Sequence, residues 1–207
     1  MKLYGTSLSP FVRKVLVVLA EKGVEAQHVP LRFHDPDPRF QAASPLGKIP
    51  ALEDGDFRLA DSSAIIHYLE RKHPAPALLP SEARDVGRAV WFDKFGDGEL
   101  FPVLIKPFVQ RVFLPRLMNR TGDEAVVAKC MTEELPRLFD YLEGTIDGEY
   151  LVGGAFSLAD ISVATTFHNL HLAGEAVDAG RWPRLAAYVK GILERPSFQA
   201  AIAARQG

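Results

Sequence analysis

The first third of the chain alternates between strand-like and helix-like patterns of apolar residues. Lys2 to Gly5 alternates polar and apolar side chains, which predicts a strand, and Glu25 to Leu31 has positions compatible with a second one. Between them, Pro10 to Lys22 predicts a helix, and Gly23 suits its C-terminal end. The apolar face of that helix carries Phe11, Val15, Val18 and Leu19. A strand-helix-strand unit is therefore expected at the N-terminus.

A hairpin and another helix follow. Turn-forming residues fill His34 to Phe40, and a short helix is expected over Arg39 to Ala43. Ile49 to Leu59 predicts two antiparallel strands joined by an Asp-Gly-Asp turn. Asp61 and the two serines after it are a good helix start, and Pro74 ends that helix. The predicted order is therefore βαβαββα.

The rest of the chain lacks strand signals. Long helical patterns cover Arg84 to Asn119 and Asp123 to Leu142, and further helices are expected from Pro183 to Arg195 and from Ser197 to Arg205. The first pattern contains three prolines that are expected to break or kink it, namely Pro102, Pro107 and Pro115. The sequence GGAFSLADI contains a capping box, since an aspartate stands three residues after its serine.

These patterns divide the chain at a proline-rich stretch. The sequence PAPALLPSE is typical of a linker. We therefore predict an α/β domain over residues 1–73, a linker over 74–83 and an all-helical domain over 84–207.

Composition narrows the class of function. With 24 basic and 26 acidic residues, the net charge of -2 gives no basic patch for nucleic acid or an anionic membrane. Cys130 is the single cysteine, which excludes an intrachain disulfide and fits the cytoplasm. The apolar run from Val15 to Ala20 is too short to span a bilayer. His168 and His171 lack an evident third ligand, so no metal site is expected. A small-molecule partner is the better expectation.

The turn before the first helix carries candidate chemistry. Ser9 precedes Pro10, a favoured first helical residue, so Ser9 suits an N-cap. The amides at the same helix end also favour an anion, and a serine hydroxyl can donate to a thiolate. The residues alone leave capping and thiolate stabilisation open, and Thr6, Ser7 and Tyr4 offer competing hydroxyls.

Three motifs in order resemble the serine-type glutathione transferases. LYGTSLSPFVRKV resembles the family's first strand, catalytic loop and first helix, and SPLGKIPALEDGDFRLADSSAIIHYL resembles its cis-proline hairpin and the acidic-Ser segment after it. GGAFSLADI resembles the capping box of its second domain. The resemblance covers nearly the whole chain. It implies a thioredoxin-like domain followed by a C-terminal helical bundle.

The same resemblance implies the roles of individual residues. Ser9 is the implied thiolate donor, and Ile49 with a cis Pro50 is the implied contact to the cysteinyl backbone of glutathione. Asp61 and Ser62 match the pair that binds the γ-glutamyl end. Further candidates are Lys48 near a glutathione carboxylate, Arg13 near the thiolate and Phe11 in the wall of the electrophile site. Many similar enzymes carry a His-Lys pair where this chain has Asp35-Pro36, so the contact to the glycine carboxylate is left open, with His34 or Arg39 as substitutes.

The expected function is conjugation of glutathione, a co-substrate rather than a bound cofactor, with a hydrophobic electrophile held between the two domains. Glutathione-dependent peroxide reduction and a non-catalytic glutathione- or ligand-binding protein are the alternatives, since one fold supports several functions. The resemblance also implies a homodimer. No nucleic-acid or membrane partner is expected.

Overall fold

The computed structural model describes residues 1–204 of the chain. Four short strands form a sheet in the N-terminal part. The sheet has the order β2-β1-β3-β4, in which β1 runs parallel to β2 and antiparallel to β3. A two-residue turn joins β3 to β4. The strands are β1 Lys2–Tyr4, β2 Gln27–Val29, β3 Ala51–Asp54 and β4 Phe57–Ala60. The predicted βαβ unit and hairpin are both present.

Helices accompany this sheet and close its core. Tyr4 of β1 packs against Phe40, with ring centroids 6.3 Å apart, in a small cluster completed by Ala43 and Ala51. The helices are α1 Pro10–Glu21, α2 Pro38–Ala43, α3 Ser62–Lys72 and, much later in the chain, α12 Pro196–Ala203. The helix α1 is buried nearly all round, including Val12 and Val17 outside the predicted apolar face.

The chain divides into two compact units. The first holds residues 1–78 together with the segment that begins at Glu194, and the second holds Leu79–Leu193. The start of the second unit falls within the predicted linker, but its end differs from the predicted domain 84–207. The reason is that α12 packs against α1 in the first unit, where Glu21 accepts hydrogen bonds from Arg195 and Ser197. In the predicted tail helix, Arg205 lies outside the described residues.

The second unit is helical. Its helices are α4 Ala83–Phe95, α5 Phe101–Leu104, α6 Lys106–Phe108, α7 Leu114–Leu117, α8 Glu124–Lys129, α9 Leu135–Thr145, α10 Leu158–Leu172 and α11 Pro183–Leu193. Together with the sheet of the first unit, this confirms the predicted class of an α/β domain with an all-helical one. No helix among residues 1–204 is both long and apolar enough to cross a membrane.

Prolines in the second unit are accommodated in a way that the sequence did not indicate. Wide π-helical turns at Gly96–Leu100, Val109–Phe113 and Cys130–Glu134 each end two residues before a proline, at Pro102, Pro115 and Pro136. Proline lacks an N–H and its ring crowds the carbonyl four residues earlier. A π turn widens the backbone at that point. The helical path therefore continues through these prolines rather than stopping at them.

Candidate functional site

The loop between β1 and α1 presents a serine at a helix N-terminus. Ser9 is the N-cap of α1, and its Oγ accepts a hydrogen bond from the Val12 amide at 3.4 Å. The side chain is only partly buried. Because a hydroxyl that accepts one hydrogen bond keeps its own proton, Ser9 is able to cap the helix and donate to a ligand at once. Phe11, also partly buried, lies in the first turn of the same helix.

A buried arginine fixes the shape of this loop. Arg13 is 1% exposed, and its Nη2 donates to the Ser7 carbonyl oxygen at 2.9 Å. The guanidinium therefore binds the backbone of this loop and does not lie at the surface. A backbone hydrogen bond from Ser9 to Thr6 tightens the same turn. Arg13 is therefore placed to hold the backbone that presents Ser9.

The register of the sheet brings three motifs to one edge. Tyr4 pairs with Ala51, and Ala51 pairs with Ala60 on its other side. Gly5 follows Tyr4, Pro50 precedes Ala51, and Asp61 follows Ala60. Because the strands are antiparallel across both pairs, these neighbours lie side by side at the same end of the sheet. The Ser9 loop, the proline loop and the start of α3 therefore meet.

A glycine allows the first two of these segments to approach each other closely. Gly5 has φ +132°, and a Cβ at this position would lie 2.5 Å from Val12 and 3.0 Å from Ile49. Any larger residue would push α1 away from the proline loop. The Ile49-Pro50 peptide bond is cis, as the resemblance implied.

The two candidates for a carboxylate contact, Lys48 in the proline loop and His34 in the loop before α2, lie close together. The His34 amide donates to the Gly47 carbonyl oxygen at 2.7 Å, and the imidazole lies over Gly47, where a Cβ would be 2.4 Å from its Nδ1. Ser44 Oγ donates to the carbonyl oxygen of Lys48 at 2.7 Å and shapes the same turn. His34 and Lys48 are both exposed. The structure therefore brings the His34 loop beside the backbone of Lys48.

The third segment is the start of α3. Asp61 is its N-cap, and Oδ1 accepts from the Ala64 amide at 3.0 Å. Its backbone has φ +80° and ψ +127°, which is rare for a residue with a side chain. Strain of this kind costs about 1–3 kcal/mol and is concentrated at functional sites. Asp61 is exposed, whereas Ser62 in the first turn is 3% exposed.

The other hydroxyl groups that could face a ligand lie in different surroundings from Ser9. Tyr4 is 2% exposed, and its hydroxyl donates to Glu53 Oε2 at 3.2 Å. Burial, reinforced by that hydrogen bond, raises the pKa of Tyr4. Ser7 is buried, and Thr6 Oγ1 accepts from the Leu8 amide at 3.3 Å. Of these side chains, Ser9 combines partial exposure with a position at the helix end.

Sequence reasoning missed one charged residue behind the site. Lys14 is fully buried, and its Nζ lies 3.3 Å from Ser63 Oγ in the first turn of α3. The available signal was a lysine beside Arg13 in a mostly apolar helix, although a lysine is usually solvated. Within residues 1–204, no group of three or more His, Cys, Asp or Glu side chains is arranged to hold a metal ion.

Comparison with known proteins places this geometry in a family. The family model of the glutathione S-transferase N-terminal domain matches the sequence of residues 3–77. The family model of the C-terminal domain matches residues 112–205. Glutathione S-transferase 4 of Zea mays is 34% identical over 202 residues, which are 95% of this chain and 89% of the maize protein.

Solved structures agree with these matches. A glutathione S-transferase from Rhodospirillum rubrum superposes with a TM-score of 0.87 at 26% identity, covering 97% of this chain and 90% of that one. Glutathione S-transferase I from maize, solved in complex with an atrazine glutathione conjugate, has a TM-score of 0.87 at 28% identity, covering 99% of this chain and 97% of its own. The similarity in sequence and fold thus extends over both units, and the chain belongs to the glutathione S-transferase family.

Proposed function

We propose that this enzyme ionises glutathione at Ser9 and directs the resulting thiolate at an electrophilic small molecule. The observation that carries the proposal is the meeting of the Ser9 loop, the cis-proline loop and the Asp61 turn at one end of the sheet. Each segment then has a part of glutathione to bind. Ser9 faces the sulfur, Ile49 the cysteinyl backbone, and Asp61 with Ser62 the γ-glutamyl group.

The energetic demand on Ser9 is modest. A free cysteine thiol has a pKa of about 8.5, and lowering it by about two units requires roughly 2.7 kcal/mol of preferential stabilisation of the thiolate. A hydrogen bond to a charged group contributes about 1.5–3 kcal/mol, and a helix N-terminus adds about 0.3–1 kcal/mol. The Ser9 hydroxyl at the start of α1 supplies both contributions.

The remaining contacts hold the peptide. Asp61 presents a carboxylate to the α-amino group of the γ-glutamyl residue, while the N-terminal end of α3 and the Ser62 hydroxyl receive its carboxylate. Lys48 and His34 offer a cation and an imidazole to the glycine carboxylate. With the peptide held in this way, the sulfur is fixed before the electrophile arrives, which removes part of the entropic barrier.

In the reaction, the sulfur lone pair forms a bond to an electrophilic carbon. The electron pair leaves with a displaced group or moves into the acceptor, which then takes a proton from solvent. The thiol proton passes to solvent when the thiolate forms. The maize relative solved in complex with an atrazine glutathione conjugate supports conjugation as the reaction. Glutathione-dependent peroxide reduction and glutathione binding without turnover remain the alternatives that the assays below separate.

The test is the Ser9→Ala variant, assayed over a pH series. Glutathione should still bind, because Ile49, Asp61 and Ser62 are unchanged, but the pKa of its bound thiol should rise. Conjugation limited by thiolate formation should fall about tenfold to a hundredfold near neutral pH and recover in part at higher pH. Calorimetry measures binding, thiolate absorbance measures the pKa, and a panel of electrophiles and organic hydroperoxides measures turnover.

Two results would contradict the proposal. A folded parent protein that fails to bind glutathione at millimolar concentration would reject the site. An unchanged thiol pKa and rate in Ser9→Ala would reduce Ser9 to a helix cap and leave Thr6 and Ser7 as candidates. Ser7→Ala is the matched control, since that side chain is 5% exposed and its hydroxyl is not presented at the helix end.

We also propose a homodimer, which the family resemblance implies. The second unit carries an exposed aromatic surface, where Trp91 is 53% and Tyr141 41% exposed and the indole N–H donates to the tyrosine hydroxyl at 3.0 Å. Exposed aromatic surface of this kind is typical of interfaces. Sedimentation over the micromolar range should give twice the chain mass of 22.8 kDa. A concentration-independent mass of one chain would contradict a dimer.

A further inference from the structure

A side chain on β2 reaches the loop that presents Ser9. His28 Nε2 lies 2.7 Å from the carbonyl oxygen of Gly5. A carbonyl oxygen only accepts hydrogen bonds, so Nε2 carries the proton and donates it. His28 pairs with Leu3 in the parallel register of β1 and β2, and Gly5 comes directly after the end of β1. The imidazole therefore continues the hydrogen bonding of the sheet into the loop.

Gly5 is the residue at which the chain leaves β1 for this loop. Its φ of +132° is one that glycine adopts readily, and the same freedom allows its peptide group other orientations. In the structure β2 binds both backbone groups of Gly5. The amide donates to the Val29 carbonyl oxygen at 3.0 Å, and the carbonyl oxygen accepts from His28. Without the imidazole, the carbonyl loses the donor that sets its direction.

The direction of this carbonyl matters because the next residues form the turn that holds Ser9. The Thr6 carbonyl oxygen accepts from the Ser9 amide at 3.0 Å, and the Ser7 carbonyl oxygen accepts from Arg13 at 2.9 Å. Those donors belong to the loop and to α1, whereas the donor to Gly5 belongs to the neighbouring strand. The Gly5 carbonyl and the Thr6 amide form one peptide group, so a rotation of this group moves the start of the turn.

We propose that His28 is a positioning residue for thiolate formation. By holding the Gly5 carbonyl, it keeps the turn where the Ser9 hydroxyl reaches the sulfur of glutathione, since a hydrogen bond weakens steeply when its geometry is poor. The role rests on the proposed function, because it acts through Ser9. The proline loop and the start of α3, which are assigned the rest of the peptide, have hydrogen bonds of their own. His28 thus acts on the ionisation of the thiol and not on the binding of the peptide.

The experiment compares His28→Leu with His28→Gln. Leucine removes the donor, whereas the side-chain amide of glutamine offers an N–H at a similar reach. With His28→Leu, about three- to tenfold less of the bound glutathione should be thiolate near neutral pH, and kcat should fall by the same factor. With His28→Gln, both should stay within about twofold of the parent. Thiolate absorbance over a pH series measures the first quantity, and steady-state rates measure the second.

Two further measurements separate ionisation from binding. S-methylglutathione has the whole peptide but no ionisable thiol, so calorimetry should give a Kd in His28→Leu within about twofold of the parent. In a Ser9→Ala background, His28→Leu should reduce the thiolate fraction no further, because both changes act on the same hydrogen bond to the sulfur.

Ser197→Ala is the matched control. Ser197 Oγ donates to Glu21 Oε1 at 2.6 Å, in the same unit but at the last residue of α1. Ser197→Ala and His28→Leu each remove one side-chain hydrogen bond, so urea unfolding should show losses of stability of similar size. Only His28→Leu should change the ionisation of the thiol.

Several outcomes would overturn the role of His28. These are a parental thiolate fraction in folded His28→Leu, an equal loss in His28→Gln or in Ser197→Ala, a raised Kd of S-methylglutathione, or a full effect in the Ser9→Ala background. If His28→Leu does not fold, His28→Asn decides, because its shorter side chain does not reach the Gly5 carbonyl, and a parental thiolate fraction there overturns the role. The proposed function fails by different results, namely a parent protein that does not bind glutathione or an unchanged thiolate fraction in Ser9→Ala, and this role fails with it.

Discussion

The helices α1 and α10 are both capped by a serine, yet the two caps lie in different surroundings. Ser9 starts α1 in the first unit, and Ser157 starts α10 in the second. Both sequences place a good capping residue before an apolar helix. From local sequence alone the two serines would receive the same role.

The difference lies in what surrounds each cap. At α10, Ser157 is 3% exposed and Asp160 fully buried, and the aspartate accepts from the amides of Ser157 and Leu151 and from the Tyr188 hydroxyl, each at 2.9 Å. The chain thus supplies its own anion to that helix end. At α1 the first turn has no acidic residue, and the Ser9 cap bond is a long 3.4 Å.

The comparison teaches how a helix end becomes a binding site. A buried N-terminus that binds an acidic side chain of the same protein has a structural role only, because its amides are hydrogen-bonded and the positive end of its dipole is already compensated. An N-terminus without an internal anion keeps its positive field for a ligand. Serine to aspartate should therefore lower the stability of the fold when made at Ser157, and should lower the rate of conjugation when made at Ser9.

The largest effect is expected for Ser157→Asp. Ser157 Oγ lies 3.2 Å from Asp160 Oδ2, so a second carboxylate would be buried against the first. An uncompensated buried charge costs about 3–5 kcal/mol, which lowers the Tm of a protein of this size by roughly 6–20 °C. Urea and thermal unfolding measure the loss. Ser157→Ala is the control, with about 1 kcal/mol expected, and equal stability of the two variants would contradict this account.

The matched change Ser9→Asp should spare the fold and remove the chemistry. Aspartate caps a helix as well as serine and suits the dipole, so the free energy of unfolding should change by less than about 1 kcal/mol. A carboxylate beside the sulfur repels a thiolate, so conjugation should fall at least about a hundredfold, further than in Ser9→Ala. Steady-state rates and thiolate absorbance test this. Activity close to that of the parent would show that Ser9 does not face the sulfur.

The smallest effect is expected at Cys130. Burial raises the pKa of this thiol to about 11, and Sγ donates to the Val103 carbonyl oxygen at 3.3 Å. About one molecule in ten thousand then carries the thiolate at pH 7. Thiol reagents should modify Cys130 slowly in the native protein and fast in denaturant, and Cys130→Ala should keep the conjugation rate. Rapid modification of the native protein would contradict this, as would loss of activity in Cys130→Ala.

Local patterns sufficed for much of the architecture. Patterns that span only a few residues predict strands, turns and helix starts directly from the sequence. Examples are the alternation before Gly5, the Asp-Gly-Asp turn between β3 and β4, and the caps at Ser9, Asp61 and Ser157. The resemblance to glutathione transferases is confirmed, and so is the cis Ile49-Pro50 bond that it implied. The roles of the individual site residues stay predictions.

Other features depend on which elements meet. The packing of α12 on α1, the burial of Arg13 and the position of His34 over Gly47 arise from contacts between residues far apart in the chain. Helical periodicity shows which face of α1 is apolar, but it does not show that a second layer covers the remaining face.

The sequence by itself indicated the strands, the main helices and their order, because caps, turns and alternation are short-range. Its resemblance to glutathione transferases indicated the family and the candidate ligands of glutathione. Only the tertiary structure decided that Ser9 lies at an open helix end while Ser157 lies at a closed one, and that Lys14 reaches the turn of Asp61. The physical reason is that burial and the sharing of hydrogen bonds are properties of the packed neighbours, and these are settled when the chain folds.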